Sequence, residues 1–258
     1  MTATTLFPSE RFPLGRLARI YGADAWYEFL RLLRAPGASV PMLAFPAMFY
    51  LLFGVVFGGQ GPQQAVYVLG SMAAFGVMAP GLFALGIGVA IDRERGLLAL
   101  KRALPVPPGA YLAAKMAMAM LFAALIFVIL AVLAASIGGV RLAPTQWLAL
   151  ALVMVLGVLP FCAIGLLVGT WVSAQAAPAI ANLIYLPMSF LSGPWVPLQA
   201  MPHVLQQLAP LWPAYHLGQL SLHAVGMESA PVLPHVEALL LITAVCFVLA
   251  VRRLRRHG

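Results

Sequence analysis

A long uncharged run constrains the fold of this chain more than any other feature. From Ala35 to Ile91 there are 57 residues without a single Asp, Glu, Lys or Arg. A helix rises about 1.5 Å per residue, so about 20 residues cross the roughly 30 Å hydrocarbon core of a bilayer. The run therefore predicts two membrane spans, and the Gly- and Pro-containing segment 58–64 predicts the turn between them.

The composition of the whole chain also indicates a membrane protein. Of its 258 residues, 63% are hydrophobic and 9% are charged, whereas soluble domains carry roughly 25% charged residues. We predict an all-α integral membrane fold with six transmembrane helices, an N-terminal interfacial helix and short broken helices between spans five and six. The predicted spans lie near 39–58, 65–91, 112–136, 147–170, 178–193 and 235–251. They form one transmembrane domain over 39–251, between an N-terminal segment 1–38 and a basic tail 252–258.

The basic residues predict how these spans are oriented. With six spans, the two termini and the loop between spans two and three share one side, which then holds 14 of the 15 Lys and Arg residues. Only Arg141 lies on the other side. Lys and Arg concentrate in cytoplasmic loops, so we predict a multi-pass protein of the inner or plasma membrane with both termini in the cytoplasm. The same effect explains the net charge of +8, and no nucleic-acid partner is predicted.

Residues 24–34 have the pattern of an amphipathic helix just before the first span. Asp24, Glu28 and Arg31 share one arc, and the opposite arc is apolar. Such a helix would lie in the membrane interface, with its charged arc facing the cytoplasm. An ordinary flank of the first span is the alternative.

The loop between spans two and three concentrates charge in mid-chain. Six of the 22 charged residues fall between Asp92 and Arg102, after which the segment 105–108 ends the helix with prolines. Orientation explains the basic residues but not the acids, so a surface for a partner protein is predicted, with local ion pairs as the alternative. The candidate contact residues are Asp92, Arg93, Glu94, Arg95, Gly96, Leu97, Leu100, Lys101 and Arg102.

The connection between spans five and six is rich in Pro, Gly and Trp. Prolines divide it into pieces too short to cross a bilayer, and Trp favours the membrane interface. Broken backbone at membrane depth must be buried in protein or line a cavity, so a gate and a structural plug are both open. The candidate gate residues are Ser192, Gly193, Pro197, Met201, Pro202, Trp212, Pro213 and Tyr215.

The sequence lacks the residues that several kinds of chemistry need. There is no Gly-x-x-x-x-Gly-Lys-Ser/Thr motif for ATP, so we predict no enzymatic activity in this chain. The histidines of the broken segment match no compact ligand spacing, and no metal site is predicted. No predicted span carries an ionisable residue at mid-membrane depth, unlike most ion-coupled carriers.

Together these features resemble the membrane subunits of type 2 ABC exporters over about residues 15–251. In the charged loop the resemblance rests on Glu94, Arg95, Gly96, Leu100, Pro105 and Lys115. Around the end of the fifth span it rests on Ser192, Gly193, Pro197, Met201, Pro202, Pro213 and Tyr215.

The resemblance implies a permease subunit that exports an amphipathic or lipid-like substrate, as a homodimer or heterodimer surrounded by membrane lipids. It implies separate ABC ATPase subunits that bind ATP and magnesium, with the stretch 92–104 as the coupling helix. This chain would hold no cofactor itself. The alternative is a non-transporting membrane scaffold or assembly protein whose loop binds another cytoplasmic partner.

Overall fold

A computed structural model describes residues 14–57, 61–98, 100, 110–196, 198–229 and 231–257 of the chain. Within these ranges every regular element is a helix and no strand occurs, which confirms the predicted all-α class. The helices are α1 Leu14–Leu33, α2 Pro36–Tyr50, α3 Pro62–Ala79, α4 Leu85–Glu94, α5 Ala110–Ser136, α6 Pro144–Gly157, α7 Leu159–Trp171, α8 Ala177–Leu191, α9 His203–Leu208, α10 Pro213–Ala224 and α11 Val232–His257. A π-helical turn, Leu51–Val56, extends α2, and another, Pro80–Ala84, joins α3 to α4.

In the described part of the chain, five helical segments are long and apolar enough to cross a membrane. They are Pro36–Val56, Pro62–Glu94, Ala110–Ser136, Pro144–Trp171 and Val232–Leu254. Their ends lie within about three residues of five of the predicted spans. The predicted span 178–193 coincides with α8, which has only 15 residues and is about 22 Å long. The count of six spans therefore stays a prediction.

Prolines begin several of these helices. Pro36, Pro62, Pro144 and Pro213 each stand in the first turn of a helix, where the missing N–H has no intrahelical acceptor in any case. The break between predicted spans four and five falls at residues 172–176, after α7. As at the turn between predicted spans one and two, no charged residue marks this boundary in the sequence.

The chain has two chemically distinct ends. The basic end, defined by Arg31, Arg93, Lys115 and Arg253, collects the start of α2, the end of α4, the start of α5 and the ends of α7 and α11. The opposite end, here the Pro-rich end, carries residues 192–229 and the α5–α6 turn with Arg141. The segment α3–α4 is largely buried among the other helices, whereas α11 is exposed along most of its length.

The centre of the fold is a close crossing of α7 with α4 and the π-turn before it. A Cβ at Gly165 would lie 2.5 Å from the carbonyl oxygen of Gly81, and one at Gly169 would lie 2.6 Å from that of Gly86. Only glycine allows backbones to approach this closely, as in other membrane helix pairs. We call this contact the glycine seam.

Candidate functional site

Four charged side chains meet at the basic end and join three helices. The Lys115 ammonium lies 2.9 Å from Asp92 Oδ2 and 3.2 Å from Glu28 Oε2. Arg31 approaches the same two acids, at 3.6 Å from Glu28 and 3.7 Å from Asp92. This charge cluster therefore connects α1, the end of α4 and the start of α5.

The centre of the cluster is buried, and its charged groups form ion pairs with one another. Lys115 and Asp92 are almost completely inaccessible, and the Tyr111 hydroxyl donates a hydrogen bond of 2.7 Å to Asp92. A buried charge is tolerated only when it is paired and hydrogen-bonded. The prediction that the charged arc of the interfacial helix faces the cytoplasm is wrong for Glu28. That side chain faces the protein instead, because the Lys115 ammonium there needs an anion.

The helix that contains the predicted stretch 24–34 is also longer than the sequence indicated. Helix α1 covers most of the predicted stretch 24–34 but begins at Leu14. Asp24 and Arg31 lie on the same helix as Glu28, and Arg31 remains more than half exposed.

Next to the cluster, two charged residues connect the second predicted span to the end of the fourth. The Arg93 guanidinium donates hydrogen bonds to the carbonyl oxygens of Thr170 and Val172, the latter at 2.7 Å. The Ala174 backbone N–H donates to Glu94 Oε1 at 2.9 Å. These contacts, which we call the brace, hold the end of α4 against the end of α7 and the loop after it.

The predicted partner surface thus divides into buried and exposed residues. Asp92 is buried in the charge cluster and Arg93 is partly buried in the brace. The side chains of Glu94, Arg95 and Leu100 are exposed, and that of Leu97 is half-buried. Gly96 is also exposed and has a positive φ of 71°. The predicted contact residues Lys101 and Arg102 lie outside the described residues.

The Pro-rich end contains an aromatic cluster around Trp195. Its ring lies 4.4 Å from that of Phe49, 5.0 Å from that of Phe75 and 5.2 Å from that of Phe190, measured between centroids. These rings come from α2, α3 and α8. The rings of Phe49 and Phe75 meet Trp195 edge to face and that of Phe190 stacks on it, both of which are favourable geometries, so the loop after α8 is fixed to the bundle by aromatic packing.

The predicted gate residues surround this loop and the helices that follow it. Ser192 is buried and donates to the carbonyl of Met188, and Gly193 turns the chain with a φ of 99°. The Met201 carbonyl accepts a hydrogen bond from Gln206, and Pro202 immediately precedes α9. Trp212, Pro213 and Tyr215 lie at the start of α10. Pro197 lies outside the described residues.

Two of these residues, Ser192 and Gly193, line a cavity of about 130 Å³ at the Pro-rich end. Its other walls include Tyr67 and Ser71 from α3 and Glu228 from the α10–α11 turn. The lining is half polar and half apolar. Met201, Pro202 and Tyr215 do not line it.

Two histidines that are distant in the sequence meet beside α10. His216 Nε2 lies 2.9 Å from the carbonyl oxygen of Pro210, and the Nδ1 atoms of His216 and His235 lie 2.9 Å apart. Because a carbonyl only accepts, His216 carries its proton on Nε2, and its bare Nδ1 accepts from His235. Burial lowers the pKa of His216, and the Pro210 carbonyl partly offsets this effect.

Sequence reasoning missed the residues that act through pairing. Lys115 was noted only as part of a motif, and Trp195, His216 and His235 were given no role. A signal existed for Lys115, since a lone ammonium one turn inside an apolar helix needs an acid at the same depth. None existed for Trp195, because its ring partners come from three separate helices.

Two comparisons with known proteins bear on the family. The family model described as ABC-2 type transporter matches residues 21–224. The chain is also similar to the "Putative transport permease YvfS" of Bacillus subtilis (strain 168), with 29% identity over 194 residues. That similarity covers 74% of this chain and 79% of the relative. The match to the family model spans α1 to α10 and includes the charge cluster, the brace and the Pro-rich end, so the chain belongs to the ABC-2 type transporter family.

Proposed function

We propose that this protein is the membrane permease subunit of an ATP-driven exporter that works with separate ABC ATPase subunits. The observation that carries the proposal is the brace beside an exposed, charged turn. A force applied to Arg95 and Gly96 reaches α7 through the hydrogen bonds of Arg93 and Glu94. Family membership supports an ATPase as the source of that force, and ATP and magnesium bind on that partner.

The proposed topology has six spans with the basic end in the cytoplasm. Helix α8 is the fifth span, and the local bilayer thins to match its length. The segment 1–38 and the tail 252–258 are cytoplasmic, and the transmembrane domain covers 39–251. The distribution of basic residues supports this topology, since the described Lys and Arg side chains lie at the basic end apart from Arg141.

The proposed substrate is an amphipathic or lipid-like molecule that leaves at the Pro-rich end. The half-polar cavity beside Ser192 and Gly193 supports an exit there. Two copies, identical or related, enclose the path, and membrane lipids surround them. The relative is named as a transport permease, and no contact among the described residues favours the scaffold alternative.

The test uses an ABC ATPase, which we expect to be encoded beside this gene. The double variant Glu94→Lys/Arg95→Glu is co-expressed with that ATPase, and the complex is reconstituted into liposomes. We expect the variant to insert normally, while stimulation of ATP hydrolysis by the permease falls at least several-fold. The control is Arg252→Glu, an exposed charge at the same end. If the double variant binds the ATPase and stimulates it as the unaltered protein does, the coupling role is wrong.

A further inference from the structure

A groove between α1, α2, α4 and α5 at the basic end has no part in the function described so far. We propose that it binds one phospholipid of the adjacent leaflet, with part of an acyl chain in the groove and the phosphate at Arg31. The proposal concerns the resident membrane lipid and does not depend on export.

The size and lining of the groove suit part of an acyl chain. Its volume is about 210 Å³, and an apolar cavity of roughly 150 Å³ is enough for a benzene molecule. Its polar side chains are Glu28, Arg31 and Lys115. The apolar wall consists of Leu32, Ala35, Ala38, Met42, Phe83, Ala84, Ile87, Ile91 and Met118. An apolar occupant therefore fits the interior better than a chain of ordered waters.

The charged and apolar lining residues of the groove lie at the depths of a lipid's headgroup and acyl chain. The charged lining residues lie at the helix ends, while Met42 lies about 10 Å further in than Ala35 along α2, and Phe83 about 12 Å further in than Ile91. Helix α1, which forms the rim, exposes 52% of Trp26. Trp favours the headgroup layer. The mouth is thus at headgroup level, and the interior at acyl-chain level.

One cation at the mouth, Arg31, has N–H donors available for a further ligand. Lys115 is paired with Asp92 and Glu28, and only 1% of its side chain is exposed. Arg31 has 56% of its side chain exposed, and its contacts with the two acids are 3.6 and 3.7 Å long. Charge-assisted hydrogen bonds are about 2.7–2.9 Å long, so these contacts leave the guanidinium free to bind a phosphate in its preferred bidentate geometry.

Gly88 offers a way to fill the groove without breaking the fold. It lines the groove, and a Cβ there would meet Lys115 Nζ at 3.5 Å and Arg31 Nη2 at 3.9 Å, which are ordinary contacts. Glycine in a helix interior costs about 1 kcal/mol relative to alanine. The variant Gly88→Leu therefore keeps the helix and places its side chain where the acyl chain would lie. The matched control is Gly22→Leu on α1, where nothing lies within 4 Å.

The experiment uses the full chain in nanodiscs of phosphatidylcholine with a small fraction of phosphatidylglycerol that carries a diazirine in one acyl chain. After irradiation, adducts are mapped by peptide mass spectrometry. We expect several-fold more adducts on Met42, Phe83 and Met118 than on Leu148 and Val132, which are exposed on apolar helices. Gly88→Leu should remove this excess and Gly22→Leu should keep it.

A second pair of variants tests the headgroup contact. Arg31→Gln should lower the groove adducts several-fold, whereas Arg34→Gln, the next exposed arginine, should not. Unlabelled phosphatidylglycerol should compete with the probe. Equal labelling of groove and lipid-facing residues would overturn the proposal, as would competition by millimolar inorganic phosphate alone or cross-links between two copies through the groove. The arginine pair and the competition remain informative if Gly88→Leu fails to fold.

Discussion

Lys115 Nζ lies 2.9 Å from Asp92 Oδ2, and neither residue exposes more than 4% of its side chain. The pair joins the start of one apolar helix to the end of another, and Glu28 adds α1 to the same ammonium. A buried ion pair adds little net stability over a well-packed apolar pair, but the loss of one partner leaves an uncompensated charge. The charge cluster therefore fixes how these three helices meet.

The first prediction concerns the loss of one partner from this buried ion pair. Lys115→Met should lower the free energy of unfolding by about 3–5 kcal/mol, because Asp92 and Glu28 would be left beside one another without their ammonium. The double variant Lys115→Met/Asp92→Asn should regain most of the loss, since Glu28 keeps Arg31 at 3.6 Å. The measurement is a double-mutant cycle in mixed micelles. Additive losses from the two single changes would show that the pair is not coupled.

The second prediction concerns the brace. Arg93→Gln removes the donors to the Thr170 and Val172 carbonyls. We expect hydrogen exchange of backbone amides 172–176 to become several-fold faster, while the centre of α5 is unchanged. Arg252→Gln, exposed at the same end, serves as the control. Unchanged exchange in 172–176 would mean that the loop is held by other contacts.

The third prediction tests the glycine seam. Gly165→Ala places a Cβ 2.5 Å from the carbonyl oxygen of Gly81 and 2.8 Å from that of Leu82. Both are backbone atoms, so the helices must separate, and we expect a loss of about 1–3 kcal/mol. Gly218→Ala on α10 is the matched control, because nothing lies within 4 Å of its Cβ position. Equal melting temperatures for both variants would contradict the close approach of α7 to the π-turn before α4.

The fourth prediction concerns pH at the Pro-rich end. Burial lowers the pKa of His216 in the folded protein, while the unfolded chain binds this proton near pH 6.5. The unfolded state therefore holds more protons below that pH, and stability must fall as the pH falls. A second proton on His216 also removes the acceptor for His235. The other titratable groups that face this pair are Tyr215 and Glu228.

We expect the unfolding temperature to be constant above about pH 7 and to drop as the pH falls through about 6.5, with faster amide exchange in α10. His216→Gln should make the drop smaller, while His203→Gln, exposed on α9, should retain it in full. A drop of equal size in His216→Gln would assign the pH dependence to another group.

Hydropathy predicted the positions of the helices but not their partners. The length of an apolar run in the sequence predicts the length of the helix, so five segments lie close to their predicted bounds. Helix α8 also coincides with its predicted span, but its 15 residues are fewer than the other five segments have. Contacts between distant residues depend on three-dimensional packing. Asp92 was predicted to meet a partner protein, yet it pairs with Lys115, which lies 23 residues further along the chain.

At the Pro-rich end, too, the positions of the helices were predictable, but the contacts of polar and aromatic residues were not. The broken helices were predictable, because each proline acts on its own backbone. The meeting of His216 with His235 depends on how α10 packs against α11, and no local pattern in either helix indicates it. Likewise, Gly193 was predicted as a gate residue and not as the turn that its φ of 99° shows, while Trp195 two positions later gave no sign of its ring partners.

The glycine seam also sets an order for assembly during synthesis. Helices α4 and α7 are separated along the chain by α5 and α6, so the second predicted span enters the bilayer before its tightest neighbour has been translated. Membrane helices insert first and associate afterwards. Until the fourth span emerges, Arg93 lacks the Thr170 and Val172 carbonyls, whereas the nascent hairpin already holds the Asp92–Lys115 pair. A ribosome-stalled chain that ends before α7 therefore stops at an unfinished core, and its maturation begins only when residues 159–172 arrive.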